Sequence, residues 1–191
     1  MTERYLLTIS TVVPRPIAWI STRGSDGVLN LAPFSFFSAI SASPPLMMVS
    51  IGKKPDGSLK DTLKNILDTG EYCINIVSAP LAQKMVDSSA ILPYEVDEFQ
   101  RVGVTPAPCE AISAPRVAEC GVSLECILIE SKEYGEIPNT VLIGEAVLFH
   151  VEDGLYDGRH IDVEKLKPVG RLGKRDYSNV VDHYALSPRE D

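Results

Sequence analysis

RPIAWISTRGSDGVLNLAPFSFFSAISASPPLMMVSI, running from Arg15 to Ile51, decides the fold. Arg15 to Thr22 sets Ile17 and Trp19 against Ala18 and Ile20 in the two-residue period of a β-strand, and Leu46 to Ile51 is an unbroken apolar run. Working outward, Tyr72 to Val77 is a further strand, bounded by Gly70 and Pro80. Val122 to Ser131 puts Val122, Leu124, Cys126 and Leu128 on one face, and Thr140 to Val151 does the same for Val141, Ile143, Val147 and Phe149. Helices are fewer. Ser58 to Thr69 carries Leu59, Leu63, Ile66 and Leu67 at helical spacing, with Ser58 as its N-cap and Gly70 at its end. A second helix starts near Pro80 and buries Leu81 and Met85; LPYEVDEFQRVG forms a turn, and Asp162 to Lys167 a short helix. Many short strands with helices inserted between them predict a mainly β, closed or nearly closed barrel with helical decoration, not a doubly wound parallel sheet.

The 191 residues, 45% of them hydrophobic, are enough for one domain with a full core, expected over 1–191. A formal net charge of -8 argues against nucleic acid or an anionic membrane surface as partner. No apolar run approaches the ~18 residues of a membrane span, and MTERYLLTIS lacks the features of a signal peptide, so a cytoplasmic protein is expected. Cys73, Cys109, Cys120 and Cys126 show no C-x-x-C spacing. On a strand, Cys120 and Cys126 would stand roughly 20 Å apart, so buried reduced thiols are expected rather than a shared metal. His150, His160 and His183 are scattered and read as surface or core residues, and no metal site is predicted. Dinucleotide-binding, P-loop and nucleophile-elbow motifs are all missing.

What remains suits a flat, anionic cofactor that brings its own reactivity. In IGKKPDGSLKDT, Lys53, Lys54 and Lys60 surround a glycine-containing turn, and Ser58, Lys60 and Thr62 fall where a helix begins with free N–H groups and a positive dipole end. A phosphate fits there; a simple helix cap with solvated lysines is the alternative. In NLAPFSFFSAISASPPL, Ser35, Ser38 and Ser41 alternate with Phe34, Phe36 and Phe37, offering polar groups beside apolar walls to the edge of a heteroaromatic ring. An ordinary core strand with serines on its wetter face is the competing reading.

PRPIAWIST, NLAPFSFFSAISASPPLMMVSI, KDTLKNILDTGEYCINIV and VDEFQRVGVTP together resemble the flavin reductase-like, FMN-binding split-barrel family, over roughly Thr8 to Tyr177. The resemblance implies a six-stranded Greek-key split barrel with a few peripheral helices, a homodimer with one FMN per subunit, and reduction of that flavin by NADH or NADPH. Carried over by position, Ser35, Phe36, Phe37 and Ser38 lie along the isoalloxazine. Lys54, Ser58, Lys60, Asp61 and Thr62 mark the phosphate end, and Asn30, Ala32 and Pro33 form the turn toward the ring. Arg15 reaches the phosphate or a carboxylate, or makes a structural salt bridge. PVGRLGKRDYS resembles the family's closing signature, except that Lys174 and Arg175 follow Gly173 where a second glycine is expected, which leaves Arg171 and Tyr177 without an assigned role. No catalytic acid or base is needed for hydride transfer between two cofactors. The implied function is an NAD(P)H:flavin reductase, and the partners the resemblance implies are a monooxygenase or other electron-acceptor protein. A flavoredoxin-type electron carrier with tightly held FMN, or a flavin-binding protein without turnover, are the alternatives.

Overall fold

The computed structural model describes residues 2–180, 182–184 and 186. Its strands in chain order are β1 (Arg15–Pro16), β2 (Ala18–Arg23), β3 (Leu29–Phe34), β4 (Phe37–Ala42), β5 (Pro45–Ile51), β6 (Glu71–Ile76), β7 (Pro106–Ala107), β8 (Arg116–Val117), β9 (Val122–Tyr134), β10 (Asn139–Val151), β11 (Val169–Arg171) and β12 (Tyr177–Asn179). Seven of them form one antiparallel sheet in the order β3-β2-β6-β9-β10-β5-β4. The resemblance implies six; here the two edge strands, β3 and β4, are not hydrogen-bonded to each other, so the barrel is split.

The alternation in Ile17–Ile20 has a direct structural meaning, because β2 is buried on both faces. Ala18 and Ile20 enter the barrel core with Tyr72, Ile74, Leu124, Cys126 and Leu142, whereas Ile17 and Trp19 enter a second core with Leu31, Met85, Phe99 and Val117. The Trp19 indole N–H donates to Ser88 Oγ at 2.9 Å, so the buried ring leaves no polar group unmatched. On β9 the predicted face, Val122, Leu124 and Cys126 with a partly buried Leu128, enters the barrel core, while Ser123 and Glu125 are buried on the other face.

β10 departs from its sequence pattern. Leu142, Gly144 and Ala146 face the core, while Val147 and Phe149 are 40% and 50% exposed. One reason is volume: the Tyr72 ring, fully buried, lies over Gly144, where a Cβ would collide with the phenol oxygen. The other is the register shift between Ala146 and Leu148, which sets Phe149 opposite Leu124, so the four apolar residues of the pattern do not share one face.

Five helices decorate the sheet: α1 (Glu3–Thr11), α2 (Asp61–Thr69), α3 (Ala82–Asp87), α4 (Glu98–Val102) and α5 (Val163–Leu166). α2 ends as predicted, with Gly70 in the left-handed region at φ 75°. Its start is corrected. Ser58 is not the N-cap, because both its N–H and its hydroxyl donate to Asp56 Oδ1, at 2.9 and 2.6 Å; Lys60 takes the cap position without a side-chain cap bond. α3, entered through a 3-10 turn at Ala79–Leu81, buries Met85 beside Leu81 as expected. The segment predicted as a turn contains α4, whose N-cap Asp97 accepts from the N–H groups of Phe99 and Gln100. α1, which the periodicity does not announce, buries none of its residues. No helix among the described residues is long and apolar enough to cross a membrane.

Candidate functional site: a cation-lined cleft

Two chambers meet beside the N-terminus of α2. The first, of about 310 Å3, is lined by Asn30, Ala32 and Pro33 from β3 and by Lys54, Lys60, Asp61 and Thr62 from the turn and helix that follow β5. The second, of about 370 Å3, is lined by Arg15, Pro33, Phe34, Ser35, Phe36 and Lys60 together with Arg171, Lys174 and Tyr177 from the C-terminal segment. Pro33, Lys60 and Ser89 line both. The two sequence segments read as the ends of one site thus converge on one cleft. Three predicted residues line neither chamber: Phe37 packs toward the barrel core, Ser38 donates to the carbonyl of Ala39 at 3.0 Å, and Ser58 is held by Asp56.

The three lysines of the turn are not equivalent. Lys53 pairs with Glu133 at 3.3 Å and Lys54 with Asp61 at 2.8 Å. Lys60 has no carboxylate partner among the described residues. Its ammonium lies 5.3 Å from the Phe34 ring centroid, and burial holds its pKa below the ordinary lysine value. The second chamber has four cationic lining residues, Arg15, Lys60, Arg171 and Lys174, and no acidic one. In a chain of net charge -8 that is a local reversal of sign.

Arg15 has little left for a ligand. It is 6% exposed, and its guanidinium donates to the carbonyls of Ile9, Val12 and Leu172 at 2.6, 2.7 and 3.2 Å and to Ser35 Oγ at 3.4 Å. Burial, then repulsion from Arg171, lowers its pKa. It makes no salt bridge among the described residues; it is a tie between both ends of the chain. Ser35 only accepts from Arg15, so its hydroxyl proton stays available to the chamber.

Thr62 is similarly committed. Its hydroxyl donates to Asn30 Oδ1 at 2.5 Å, and Asn30 Nδ2 donates to Glu98 Oε1 at 3.1 Å. The other Glu98 oxygen accepts from the Leu31 N–H at 3.1 Å. Burial raises the Glu98 pKa, and these hydrogen bonds oppose the rise. Sequence reasoning missed Glu98, Ser89, Lys174 and the lining role of Arg171 and Tyr177. Asp97 as a helix cap before an acidic first turn was a legible signal for α4; nothing local marks Glu98 as buried. Arg171 stacks on the Tyr177 ring, 4.5 Å from its centroid, and hydrogen-bonds its hydroxyl.

The fold is shared with known proteins. The family model described as flavin reductase like domain matches residues 10–164. An uncharacterised protein of Aquifex aeolicus is 44% identical over 177 residues, covering 91% of this chain and 88% of its own. The crystal structure of nitrilotriacetate monooxygenase component B from Bacillus cereus superposes with a TM-score of 0.92 at 34% identity, covering 97% of this chain and 95% of that one. Flavoredoxin of Desulfovibrio vulgaris (Miyazaki F) superposes at 0.81 with 26% identity, covering 92% of each chain. A split barrel, a cleft between β3 and the α2 N-terminus, and a match over most of the length agree: the chain belongs to the flavin reductase-like family.

Proposed function

We propose that the cleft holds FMN and that the chain is an NAD(P)H:flavin reductase. The observation that carries this reading is Lys60, a half-buried ammonium without a carboxylate partner at the junction of two chambers and at a helix N-terminus. A buried uncompensated charge is costly, and a phosphate is the group whose arrival offsets that cost. The donor set fits the rest of the cofactor: Phe34 and Phe36 supply apolar wall, Ser35 a free hydroxyl, and Arg171 and Lys174 positive charge without an acid nearby. The Thr62–Asn30–Glu98 chain fixes the orientation of the Asn30 amide at the wall of the first chamber. When bound, FMN supplies the capacity to accept a hydride from a reduced nicotinamide and to pass electrons onward. The residues bind and orient the cofactor, and hydride transfer between two cofactors asks no acid or base of them.

Anaerobic addition of NADH or NADPH to the FMN-loaded protein is expected to bleach the visible flavin band within a catalytic time. Bleaching by a reduced partner protein alone would make the chain an electron carrier, and no bleaching by either would make it a flavin-binding protein. Ser35→Ala, which removes one free donor, should weaken FMN binding by roughly 0.5 to 1.5 kcal/mol in a fluorescence titration. An unchanged dissociation constant would show that the flavin does not contact Ser35.

Similarity to a monooxygenase component B supports an oxygenase as the acceptor of the electrons. A homodimer is supported by the exposed apolar side chains that β9 and β10 carry, Ile127, Ile129, Val147 and Phe149. Light scattering on a size-exclusion column should give twice the monomer mass of 20.8 kDa; a monomer at micromolar concentration contradicts it.

A further inference from the structure

Away from the cleft, three ligand types meet that are far apart in the sequence. Glu125, on β9, is fully buried. Its Oε1 accepts from the Glu110 N–H at 2.8 Å, and its Oε2 from those of Ala111 and Ile112 at 2.6 and 3.1 Å. The loop that wraps the carboxylate therefore starts at Cys109 and delivers that thiol to it. From the other side, β10 brings His150, whose Nε2 stands 2.5 Å from Glu125 Oε1. The register shift between Ala146 and Leu148 places Leu148 opposite Glu125 and His150 opposite Ser123, which turns the imidazole diagonally back onto the carboxylate. One ligand atom from each of Cys109, Glu125 and His150 lies within 4.8 Å of the other two. Cys109 and His150 are partly exposed, and His150 also borders a separate cavity of about 300 Å3 beside Arg116 and Glu152.

We propose that Cys109, Glu125 and His150 form a binding site for a divalent transition-metal ion of the zinc class, with three protein ligands and one position open to solvent. A structural ion pair accounts for Glu125 and His150, and Cys109 packs against Cys73, Ile112 and Ala114; what neither contact requires is the thiol's approach to within 4.8 Å of both the carboxylate and the imidazole. Thiolate, imidazole and carboxylate are the borderline-soft set that zinc and cobalt take in tetrahedral geometry. With bonds of about 2.0 to 2.3 Å, ligand atoms around such an ion stand about 3.3 to 3.6 Å apart. From the present 2.5 Å between His150 Nε2 and Glu125 Oε1, and with the thiol within 4.8 Å of both, the imidazole and thiol reach that spacing by moving about 1 to 1.5 Å, and both side chains are partly exposed. The ion takes the place of the proton between His150 Nε2 and Glu125 Oε1, the neutral imidazole carrying its N–H on Nδ1 instead, and it displaces the proton of the Cys109 thiol, which leaves to solvent. The three amides on Glu125 keep its oxygens in place while this happens, which is the orienting role that outer hydrogen bonds play at metal sites. None of the three residues lines the cleft, so the site is independent of the flavin reading.

The test uses the untagged full chain, stripped of metal with a chelator and titrated with Co2+. The expected result is one equivalent bound, with visible bands of tetrahedral intensity and a near-ultraviolet thiolate-to-cobalt charge-transfer band, both removed by Zn2+. Cys109→Ser should abolish the charge-transfer band and lower the affinity at least tenfold. Its far-ultraviolet circular dichroism and FMN binding should stay unchanged. His150→Gln should lose the tetrahedral intensity. A wild-type titration without the charge-transfer band, or a band that survives Cys109→Ser, overturns the proposal.

Discussion

Replacing Gly144 by alanine is expected to cost about 3 kcal/mol, at the upper end of what one extra methyl does to a packed core. The added Cβ would overlap the Tyr72 hydroxyl, lie 2.8 Å from Cζ of the same ring and 3.1 Å from the Ile127 carbonyl oxygen. The ring cannot swing away, because Tyr72 is fully buried among Ile20, Ile74, Cys126 and Leu142. Against a typical total of 5–15 kcal/mol the loss is severe, and for a chain of this length it corresponds to a fall in Tm of roughly 6–12 °C. Tyr72→Phe provides the internal check. The phenol oxygen has no hydrogen-bond partner among the described residues, so its removal alone should be close to neutral. In the Gly144→Ala background the same change should recover at least about 1 kcal/mol, because the closest overlap is gone. Equal stability of the Gly144→Ala protein and the parent in urea denaturation would mean that the core is not packed as described.

Lys60→Met should weaken FMN binding by roughly 10- to 100-fold, the equivalent of one charge-assisted hydrogen bond. Methionine keeps apolar contact with Phe34, so the fold should be spared. The pH dependence adds a second readout. Burial lowers the Lys60 pKa in the flavin-free protein, and a bound phosphate favours the charged form. FMN affinity should therefore fall as the pH rises through that lowered pKa, by about tenfold per pH unit above it, and Lys60→Met should lack this alkaline limb. In the flavin-free protein the sign for stability is opposite. The cost of burying the charged amine is complete below the lowered pKa and is relieved as the pH climbs toward the ordinary value of 10.5. A wild-type dissociation constant that stays flat up to about pH 10, with Lys60→Met unchanged, would put the phosphate elsewhere.

Several of these features are legible in the sequence and several are not, for reasons that differ residue by residue. The alternation of Ile17, Ala18, Trp19 and Ile20 is visible because both sides of β2 must be apolar, and Gly70 is visible because the end of α2 requires a left-handed residue. The packing face of β10 is not, since what it needs is the absence of side chain at Gly144, and absence carries no hydrophobic signal. Ser58 misleads because a nearer acceptor, Asp56, captures it before the helix can. The convergence of the Lys60 turn with the Ser35 strand follows from the order of the motifs. That only Lys60 of the three lysines lacks a carboxylate partner among the described residues depends on Glu133, from a strand some eighty residues further on, and on Asp61. The Cys109, Glu125 and His150 cluster joins a loop to two strands and has no spacing to read.

The guanidinium of Arg15 carries one more consequence, for anyone shortening the domain. Carbonyls from residues 9, 12 and 172 clamp it, so the first dozen residues and the last described strands share a single fastening. Trimming the first dozen residues to ease expression would strip that cation of two acceptors at once and unhook the tail that walls the second chamber. An apparently dispensable helix that buries no residue fully is in this molecule a latch, and minimal versions should begin before it.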